Sequence, residues 1–320
     1  MPETLSYTEI AEPEIIQATD IKVHIKAAGV NPVDTKIRRN GLLYPLPLPA
    51  ILGCDGAGVI TEVGSAVTKF KPGDSVWFCH GGLGREQGNY AEYNVLDQRW
   101  AGLMPNNLSF AQAAALPLVL ITAYGALFQR GGLRAGQTVL IHAGAGGVGS
   151  VAIPLAKIAG AKVITTVSSQ EKADWVKQLG ADAVIFYQQQ DLVTAVNAFT
   201  EGQGVDLTFD TVGPDVFAAS IPVTKHFGRI VTLLDPGLVS LAEARVRNLL
   251  IGFELMLTPM LRDLPVERDA HVKILNQCKT YLEQGVLPAC RVEILPLIDA
   301  ALAHRAIETG HTLGKLVLVN

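Results

Sequence analysis

The sequence predicts an α/β protein in which a doubly wound parallel sheet is combined with a second, mostly β domain. The middle of the chain alternates strand-like and helix-like segments, and a glycine-rich turn follows the first strand. The first hundred residues instead contain short β-branched runs that glycine and proline turns separate. Strands of the parallel sheet are predicted at 138–142, 162–167, 183–187, 205–210, 229–234 and 249–255.

The glycine turn is the most informative element of the sequence. Gly144, Gly146 and Gly149 have the G-x-G-x-x-G spacing of a dinucleotide cradle. The first glycine permits a tight turn, the second lets the backbone approach a pyrophosphate, and the third lets strand and helix pack closely. The following helix N-terminus favours phosphate, so the pattern predicts a nucleotide site, with a ligand-free structural turn as the alternative. The predicted contact residues are Gly144, Gly146, Gly147, Val148 and Gly149.

The end of the next strand indicates which cofactor binds. An NAD site has an acidic residue about twenty residues after the glycines, but this chain has Ser168 and Ser169 there, with Lys172 one turn later. Hydroxyl and ammonium groups attract a ribose phosphate that a carboxylate would repel, so NADPH is favoured over NADH. The alternatives are a helix cap for the serines and a solvated helix face for Lys172. Tyr187, after the third strand, is predicted either to reach the same ribose or to cap the sheet.

Composition and charge exclude several classes of protein. A length of 320 residues suggests two domains. The net charge is −4, and no basic run suggests binding to nucleic acid. The cysteines lie far apart and include no C-x-x-C pair, which predicts a reduced, cytoplasmic protein. They are Cys54, Cys79, Cys278 and Cys290.

No segment is predicted to cross or enter a membrane. The two most apolar stretches, 113–127 and 249–261, are too short or too interrupted to span a bilayer. The segment 110–129 is instead predicted to be a long apolar helix that joins the two domains. Near the end of the chain we expect a helix at 269–284 and a final strand at 314–319 that packs back on the N-terminal domain.

Sequence segments that match one known family occur in the family's order along nearly the whole chain. They are Ala27–Asp34, Gly56–Val59, Val63–Val67, Phe70–Val76, Gly88–Tyr93, Ala113–Pro117, Thr122–Tyr124, the glycine turn, Leu179–Asp182, Phe209–Gly213 and Gly314–Leu318. The chain therefore resembles the medium-chain dehydrogenase/reductase superfamily, and most closely its zinc-free, zeta-crystallin-like quinone oxidoreductase branch. This resemblance implies a GroES-like catalytic domain at 1–117 and 258–320 around a Rossmann NADPH-binding domain at 118–257.

The resemblance also implies that no catalytic zinc is held. The positions of the family's three zinc ligands resemble Asn31, Cys54 and Leu118 in this chain. One thiol does not supply the three protein ligands that a catalytic zinc requires. The family's structural zinc lobe is also absent from the sequence, and the adjacent pair Cys79 and His80 is weak support for a metal site.

Site residues are carried over from the zinc-free relatives. Asn31 is expected to position the nicotinamide ribose or the substrate, and Thr122 to lie beside the nicotinamide or to cap a helix turn. Tyr44, followed by Pro45, is expected to donate the proton, the alternative being a loop tyrosine that packs on Pro45 and Pro47. Asp34 is expected to fix its own turn. His142 is expected to be a buried, hydrogen-bonded core histidine.

The resulting hypothesis is NADPH-dependent, zinc-independent reduction of a small-molecule quinone or another activated carbonyl or alkene. A 2-enoyl-thioester (acyl-CoA) reductase and a non-catalytic NADPH-binding protein are the alternatives. The segment 249–255 is apolar enough for edge-to-edge pairing in a homodimer, although a buried helix would look similar. The segment Pro2–Tyr7 resembles one that follows an initial strand in the family, so that strand is expected to be missing here.

Overall fold

The computed structural model describes residues 1–44, 49–310 and 312–320. These residues form two compact units. Unit 1 consists of Met1–Leu118, Leu257–Gly285 and Ala289–Asn320, and unit 2 consists of Val119–Met256 and Val286–Pro288. The short segment 286–288 belongs to unit 2, which the sequence did not indicate.

The strands are numbered along the chain. They are β1 (Asp20–Val30), β2 (Asp55–Val63), β3 (Ser75–Cys79), β4 (Tyr93–Asp97), β5 (Ala101–Leu103), β6 (Thr138–Ile141), β7 (Lys162–Val167), β8 (Ala183–Phe186), β9 (Val205–Asp210), β10 (Thr224–Thr232), β11 (Leu250–Phe253), β12 (Val292–Pro296) and β13 (Lys315–Val319).

The helices are numbered in the same way. They are α1 (Pro32–Asn40), α2 (Phe110–Ala114), α3 (Pro117–Tyr124), α4 (Gly147–Ile158), α5 (Gln170–Gln178), α6 (Leu192–Thr200), α7 (Pro214–Val223), α8 (Ala242–Val246), α9 (Thr258–Arg262), α10 (Pro265–Glu283) and α11 (Ala300–Glu308). Short 3-10 turns occur at Pro2–Thr4, Gln98–Trp100 and Leu297–Asp299, and a π-helical segment occurs at Gly125–Arg130.

Unit 1 is built around a seven-stranded, mostly antiparallel sheet. Its strand order is β12-β13-β1-β2-β3-β5, and β4 pairs with β1. Alternate residues of β1, including Ile21, Val23 and Ile25, pack in a hydrophobic core with Phe78 and Leu96. The final strand β13 pairs antiparallel with β1, which confirms that the C-terminal strand packs on the N-terminal part of the chain.

Unit 2 contains a six-stranded sheet in the order β11-β10-β9-β6-β7-β8. All five strand pairs are parallel. This is the doubly wound order, with the chain reversing direction across the sheet between β6 and β9. The predicted fold class is therefore confirmed. Ligands of such sheets bind outside the carboxyl ends of the strands, which is where the glycine turn leaves β6.

The predicted long helix at 110–129 is wrong, because the segment divides into three pieces. Ser109 accepts a hydrogen bond from the N–H of Gln112 and caps α2. Pro117 then begins α3, since proline has no N–H to continue the preceding helix. A π-helical segment, Gly125–Arg130, follows α3. Apolar composition alone did not reveal these breaks.

The segment 249–255 contains an edge strand, β11, which is paired with β10. The strand interpretation is confirmed and the buried-helix alternative is wrong. Leu250 and Phe253 are each 57% exposed on this edge, and the homodimer stays a prediction. Among the described residues before Asp20 the chain forms a 3-10 turn and no strand. None of the helices in the described part of the chain is long and apolar enough to cross a membrane.

Candidate active site

Two of the three motif glycines in unit 2 are required by close packing. A Cβ atom on Gly144 would lie 2.0 Å from Thr165 Oγ1, and one on Gly149 would lie 2.5 Å from the carbonyl oxygen of Ala143. Neither position tolerates a side chain without movement of its neighbours. The turn itself is sharp, since Ala143 has a φ of 52°. The first and third glycines are thus needed for close packing around the turn, whereas the sequence predicted a tight turn for the first and close packing for the third.

Gly146 lies in a more open environment than the other two. A Cβ atom there would meet only the carbonyl oxygen of Ala143, at 3.2 Å. Gly146 caps α4, which begins at Gly147. The N–H groups of Gly147, Val148 and Gly149 therefore belong to the first turn, where helix geometry leaves them without an intrahelical partner. Open space in front of such donors is what a phosphate group requires.

Polar side chains cluster where β7 ends. Lys172 Nζ donates a hydrogen bond to Ser168 Oγ over 3.3 Å, and Ser169 Oγ accepts one from the backbone N–H of Lys172. Tyr187 is adjacent, because its N–H donates to the carbonyl of Val167, and its side chain is exposed. Ser169 is indeed a helix cap, as the alternative interpretation proposed. The hydroxyl of Ser168 and the ammonium of Lys172 nevertheless lie together at the carboxyl end of the strand.

His142 lies beneath the glycine turn, just after β6. Ser220 Oγ donates to the carbonyl of Val216, so the hydrogen bond of 3.2 Å between Ser220 Oγ and His142 Nε2 must use a proton on Nε2. Burial lowers the pKa of His142 to about 4. The expectation of a buried, hydrogen-bonded core histidine is confirmed. Thr122, in α3, is also buried, and its predicted place beside a nicotinamide stays a prediction.

In unit 1, Asn31 links two buried charged groups. Its Nδ2 donates to Asp55 Oδ2 over 2.8 Å, and its Oδ1 accepts a hydrogen bond from Lys315 Nζ. Lys315 Nζ also donates to the carbonyl of Val30 and lies 4.0 Å from Asp55 Oδ2. The other oxygen of Asp55 accepts from the N–H of Leu118. Because the ammonium only donates and the carboxylate accepts, these contacts fix the orientation of the Asn31 amide.

Asn31 is fully buried, so a ligand would reach its side chain only after a local movement. The predicted contact with nicotinamide or substrate therefore stays a prediction. In the described contacts, the Asn31 amide connects Lys315 to Asp55 through hydrogen bonds.

A second buried chain of hydrogen bonds starts at Asp34. Its Oδ2 accepts from the N–H of Asn31 and from the hydroxyl of Tyr90, which confirms that Asp34 fixes the turn before α1. The Tyr90 oxygen lies 3.2 Å from His304 Nε2, and Arg38 Nη1 lies 3.3 Å from His304 Nδ1. Arginine only donates, so the neutral imidazole carries its proton on Nε2. All donors in the chain thus point toward Asp34.

Burial raises the pKa values of both carboxyl groups in this region. Desolvation raises the pKa of Asp34 to about 7, despite the hydrogen bond from the Asn31 N–H. Desolvation likewise raises the pKa of Asp55 to about 6, opposed by the charge of Lys315. Asp34 Oδ1 has no hydrogen-bond partner among the described residues. A buried carboxyl group in that position favours its protonated form.

The donor set around Asn31 and Cys54 does not fit a zinc ion. Burial raises the pKa of the Cys54 thiol well above its ordinary value, so the thiolate that zinc binds is disfavoured. Leu118 has no side-chain donor, and the Asn31 amide is engaged by Asp55 and Lys315. The described part of the chain contains no group of three or more His, Cys, Asp or Glu side chains that could hold a metal ion.

Tyr44 lies at the end of a described segment and packs against a second loop. The guanidinium of Arg85 lies over the Tyr44 ring, 4.6 Å from its centroid. The N–H of Leu43 donates to the carbonyl of Leu83 over 3.1 Å. Pro45 and Pro47, on which the alternative interpretation depended, lie outside the described residues.

Sequence reasoning did not identify several polar residues of unit 1. The missed residues are Asp55, Arg85, Tyr90, His304 and Lys315. For two of them the sequence held a signal that could have been used. Asp55 begins β2 and Lys315 begins β13, so each is a charged residue at the start of a strand. Such residues are rarely buried without partners, but the sequence did not show which partners they meet.

Two family models match the chain. Residues 17–106 match the alcohol dehydrogenase GroES-like domain, and residues 147–237 match the zinc-binding dehydrogenase model. The first range lies within unit 1 and the second within unit 2.

Individual relatives are similar over the whole chain. A quinone oxidoreductase of Pseudomonas aeruginosa is 34% identical, covering 99% of this chain and 96% of the relative. An NADPH-dependent alkenal/one oxidoreductase of Arabidopsis thaliana is 32% identical, covering 97% of this chain and 74% of the relative.

A solved structure agrees with these matches. The quinone oxidoreductase of Escherichia coli, in complex with NADPH, has a TM-score of 0.86 and 32% identity, covering 100% of this chain and 97% of that structure. The match therefore includes both units as well as the segments that connect them. The chain belongs to the medium-chain dehydrogenase/reductase superfamily and is an oxidoreductase of its quinone oxidoreductase branch.

Proposed function

We propose that this protein is an NADPH-dependent reductase that transfers hydride to a quinone or another activated carbonyl or alkene, without a catalytic zinc ion. The physiological acceptor is a small molecule. The proposal includes a GroES-like catalytic domain at 1–117 and 258–320, a Rossmann domain at 118–257, a homodimer and a cytoplasmic location.

The observation that carries the proposal is the polar cluster after β7. Ser168 and Lys172 present a hydroxyl and an ammonium 3.3 Å apart at the position where NAD sites have a carboxylate. Charge-assisted hydrogen bonds from these groups suit a ribose 2′-phosphate. The glycine turn and the first N–H groups of α4 would hold the pyrophosphate, and Tyr187 would flank the ribose. The Escherichia coli quinone oxidoreductase solved in complex with NADPH and the NADPH-dependent alkenal/one oxidoreductase of Arabidopsis thaliana support this assignment.

The reaction needs a hydride and a proton. When bound, the cofactor supplies the hydride from its nicotinamide. The protein must orient the acceptor and deliver the proton to the oxygen or carbon that gains negative charge. We assign proton donation to the hydroxyl of Tyr44, which water would reprotonate afterwards. We assign positioning roles near the nicotinamide to Asn31 and Thr122.

The proposed independence from zinc is supported by the chemistry of the residues at the three ligand positions. Asn31 is engaged by Asp55 and Lys315, Leu118 offers no donor, and the Cys54 thiol is held in its neutral form. Hydrogen-bond donors would then stabilise the developing negative charge in place of a metal. Metal analysis of the purified enzyme, together with activity after chelator treatment, tests this point. Stoichiometric zinc that is needed for turnover would contradict it.

The cofactor assignment is tested by Lys172→Ala, with Lys177→Ala as the matched control. Both lysines lie on α5, but Lys177 is in its last turn, away from the serines. We expect Lys172→Ala to raise the Michaelis constant for NADPH about tenfold, the value of one charge-assisted hydrogen bond, and to change that for NADH much less. Lys177→Ala should change neither. Equal effects of Lys172→Ala on both cofactors would remove the reason for preferring NADPH.

The acceptor class is tested by NADPH oxidation with a benzoquinone, a short enone and an enoyl-CoA. Turnover of the quinone or the enone supports the proposal. Exclusive turnover of the enoyl-CoA would make the protein an enoyl-thioester reductase. No turnover with any of the three, despite NADPH binding, would make it a non-catalytic NADPH-binding protein.

A further inference from the structure

The loop 80–88 of unit 1 places a cation beside the proposed proton donor. The Arg85 guanidinium lies 4.6 Å from the centroid of the Tyr44 ring. This distance is in the range of a cation–π contact. The Arg85 side chain is 45% exposed, so one face of the guanidinium packs on the ring while its N–H groups remain accessible to water and to ligands.

The neighbours of Arg85 in the loop anchor it to the body of unit 1. Glu86 accepts a hydrogen bond of 3.4 Å from the buried Arg268, and its Oε2 lies 3.8 Å from His80 Nδ1. Gln87 Oε1 accepts a hydrogen bond of 2.7 Å from the N–H of Ile51. Because Glu86 and Gln87 are both hydrogen-bonded to other parts of unit 1, the backbone at Arg85 is held in place.

Close backbone packing holds the Tyr44 segment against the same loop. Gly84 has a φ of 109°, and a Cβ atom there would lie 2.2 Å from the carbonyl oxygen of Tyr44. The hydrogen bond from Leu43 to Leu83 lies next to this contact. These contacts therefore hold the Arg85 and Tyr44 side chains next to each other.

The ion pair that Arg85 makes with Asp263 is exposed. Arg85 Nη1 lies 3.2 Å from Asp263 Oδ2, and the Asp263 side chain is 80% exposed. An ion pair this exposed contributes little and is easily exchanged for another anion. A guanidinium fork matches the geometry of a carboxylate or sulfonate.

We propose that Arg85 is a specificity residue that favours acceptors with a carboxylate or a similar anionic group close to the reducible bond. The inference rests on the proposed function, in which Tyr44 delivers the proton. The anionic group of the acceptor replaces Asp263 on the guanidinium, which places the reducible bond beside the Tyr44 hydroxyl. The protein has a net charge of −4, so an anionic acceptor would gain little from the overall field and depends on this local cation.

The test compares a charged acceptor with its neutral counterpart, 4-oxo-2-pentenoate and its methyl ester, and reads each variant as a ratio to wild type with the same acceptor. We expect Arg85→Gln to lower kcat/KM for the carboxylate about five- to tenfold, between the effects of an exposed ion pair and of a charge-assisted hydrogen bond. The ester should lose less than about twofold, and Arg85→Lys should retain most of the preference. Asp263→Asn should raise kcat/KM for the carboxylate only.

Equal losses for both acceptors in Arg85→Gln would overturn the proposal, because Arg85 would then act only by supporting Tyr44. A wild-type enzyme whose relative rates with the two acceptors do not change with salt would overturn it as well.

A binding measurement separates this inference from the proposed function. The saturated product, 4-oxopentanoate, is titrated calorimetrically into the protein in the presence of NADP⁺. Weaker binding to Arg85→Gln than to wild type supports the anion site even if no acceptor is reduced. Lack of turnover with the carboxylate, the ester and a benzoquinone alike would contradict the proposed function alone. Undiminished binding to Arg85→Gln would contradict the role of Arg85 alone.

Discussion

The polar groups at the candidate sites of the two units differ in how deeply they are buried. In unit 1, Asp55 and Lys315 are almost completely buried and are joined through Asn31. In unit 2, Ser168 and Lys172 lie partly exposed at the end of a strand. A desolvated charge must be paired inside the protein, whereas a partly hydrated one can exchange its partner at small cost. The first group therefore maintains the fold, and the second group is available for a ligand.

Removal of the buried ammonium group of Lys315 is expected to have the largest effect on the free energy of unfolding. Lys315→Met leaves the Asp55 carboxylate buried without its cation and Asn31 Oδ1 without its donor. At pH 8 we expect the free energy of unfolding in urea to fall by about 3–5 kcal/mol. Lys172→Met, the matched change in unit 2, should alter it by no more than about 0.5 kcal/mol. Similar losses for the two variants would show that burial does not distinguish these regions.

The glycine turn allows a similar test within unit 2, with the next largest effect. In Gly149→Ala the new Cβ would lie 2.5 Å from the carbonyl oxygen of Ala143 and 2.6 Å from Gly144 Cα. Such overpacking against backbone should cost about 1–3 kcal/mol of unfolding free energy. Gly146→Ala, whose Cβ meets its nearest atom at 3.2 Å, should cost clearly less.

The same pair of variants separates packing from binding. Gly146→Ala should bind NADPH about tenfold more weakly in a fluorescence titration, because its methyl group enters the space in which backbone and pyrophosphate approach. A stable Gly146→Ala protein with wild-type affinity would contradict the phosphate role of the turn.

The last prediction concerns the pH dependence of stability. The raised pKa of Asp34, about 7, means that the folded state keeps a proton that the unfolded chain releases near pH 4. The stability from this proton is fully present below pH 4 and is lost as the pH rises through 7. The slope is at most about 1.4 kcal/mol per pH unit. The stability of wild type relative to Asp34→Asn should therefore fall between pH 5 and pH 8 in urea unfolding.

An exposed carboxylate provides the control for this measurement. Hydrogen bonds from the side chain and the backbone N–H of Thr194 lower the pKa of Asp191. The stability that Asp191 contributes is present above the unfolded pKa and lost only in acid. The stability of Asp191→Asn relative to wild type should thus stay constant between pH 5 and pH 8. A constant difference for Asp34→Asn as well would mean that Asp34 is already ionised at pH 5.

The order of the elements was largely predictable from the sequence. The strands of unit 2 and the return of the last strand to the N-terminal part follow from local patterns, and they agree with the structure within a few residues at most ends. The breaks within the segment 110–129 were not predictable from apolar composition, because uniformly apolar residues do not indicate where a helix ends. Strand β10 begins at Thr224, before the predicted residue 229, and its pairing with β9 contains an irregularity that the sequence did not indicate.

The residues of the candidate site were likewise predictable only in part. The glycine turn and the cluster at Ser168, Ser169 and Lys172 were found from the sequence, because their residues are close together in the chain. The role of Asn31 was inferred from a resemblance, and the structure adds that its amide is already bound by two charged residues. Arg85 gave no signal in the sequence, since an exposed arginine in a glycine-rich loop is common.

The sequence by itself determined the doubly wound sheet, the glycine turn and the family, because each depends on spacings of a few residues or on the order of short segments. Only the tertiary structure decided which charges meet. Lys315 and Asn31 are 284 residues apart, and His304 and Tyr90 are 214 apart. Their pairing and their loss of hydration depend on how distant segments pack, and the electrostatics of the interior depend on that packing.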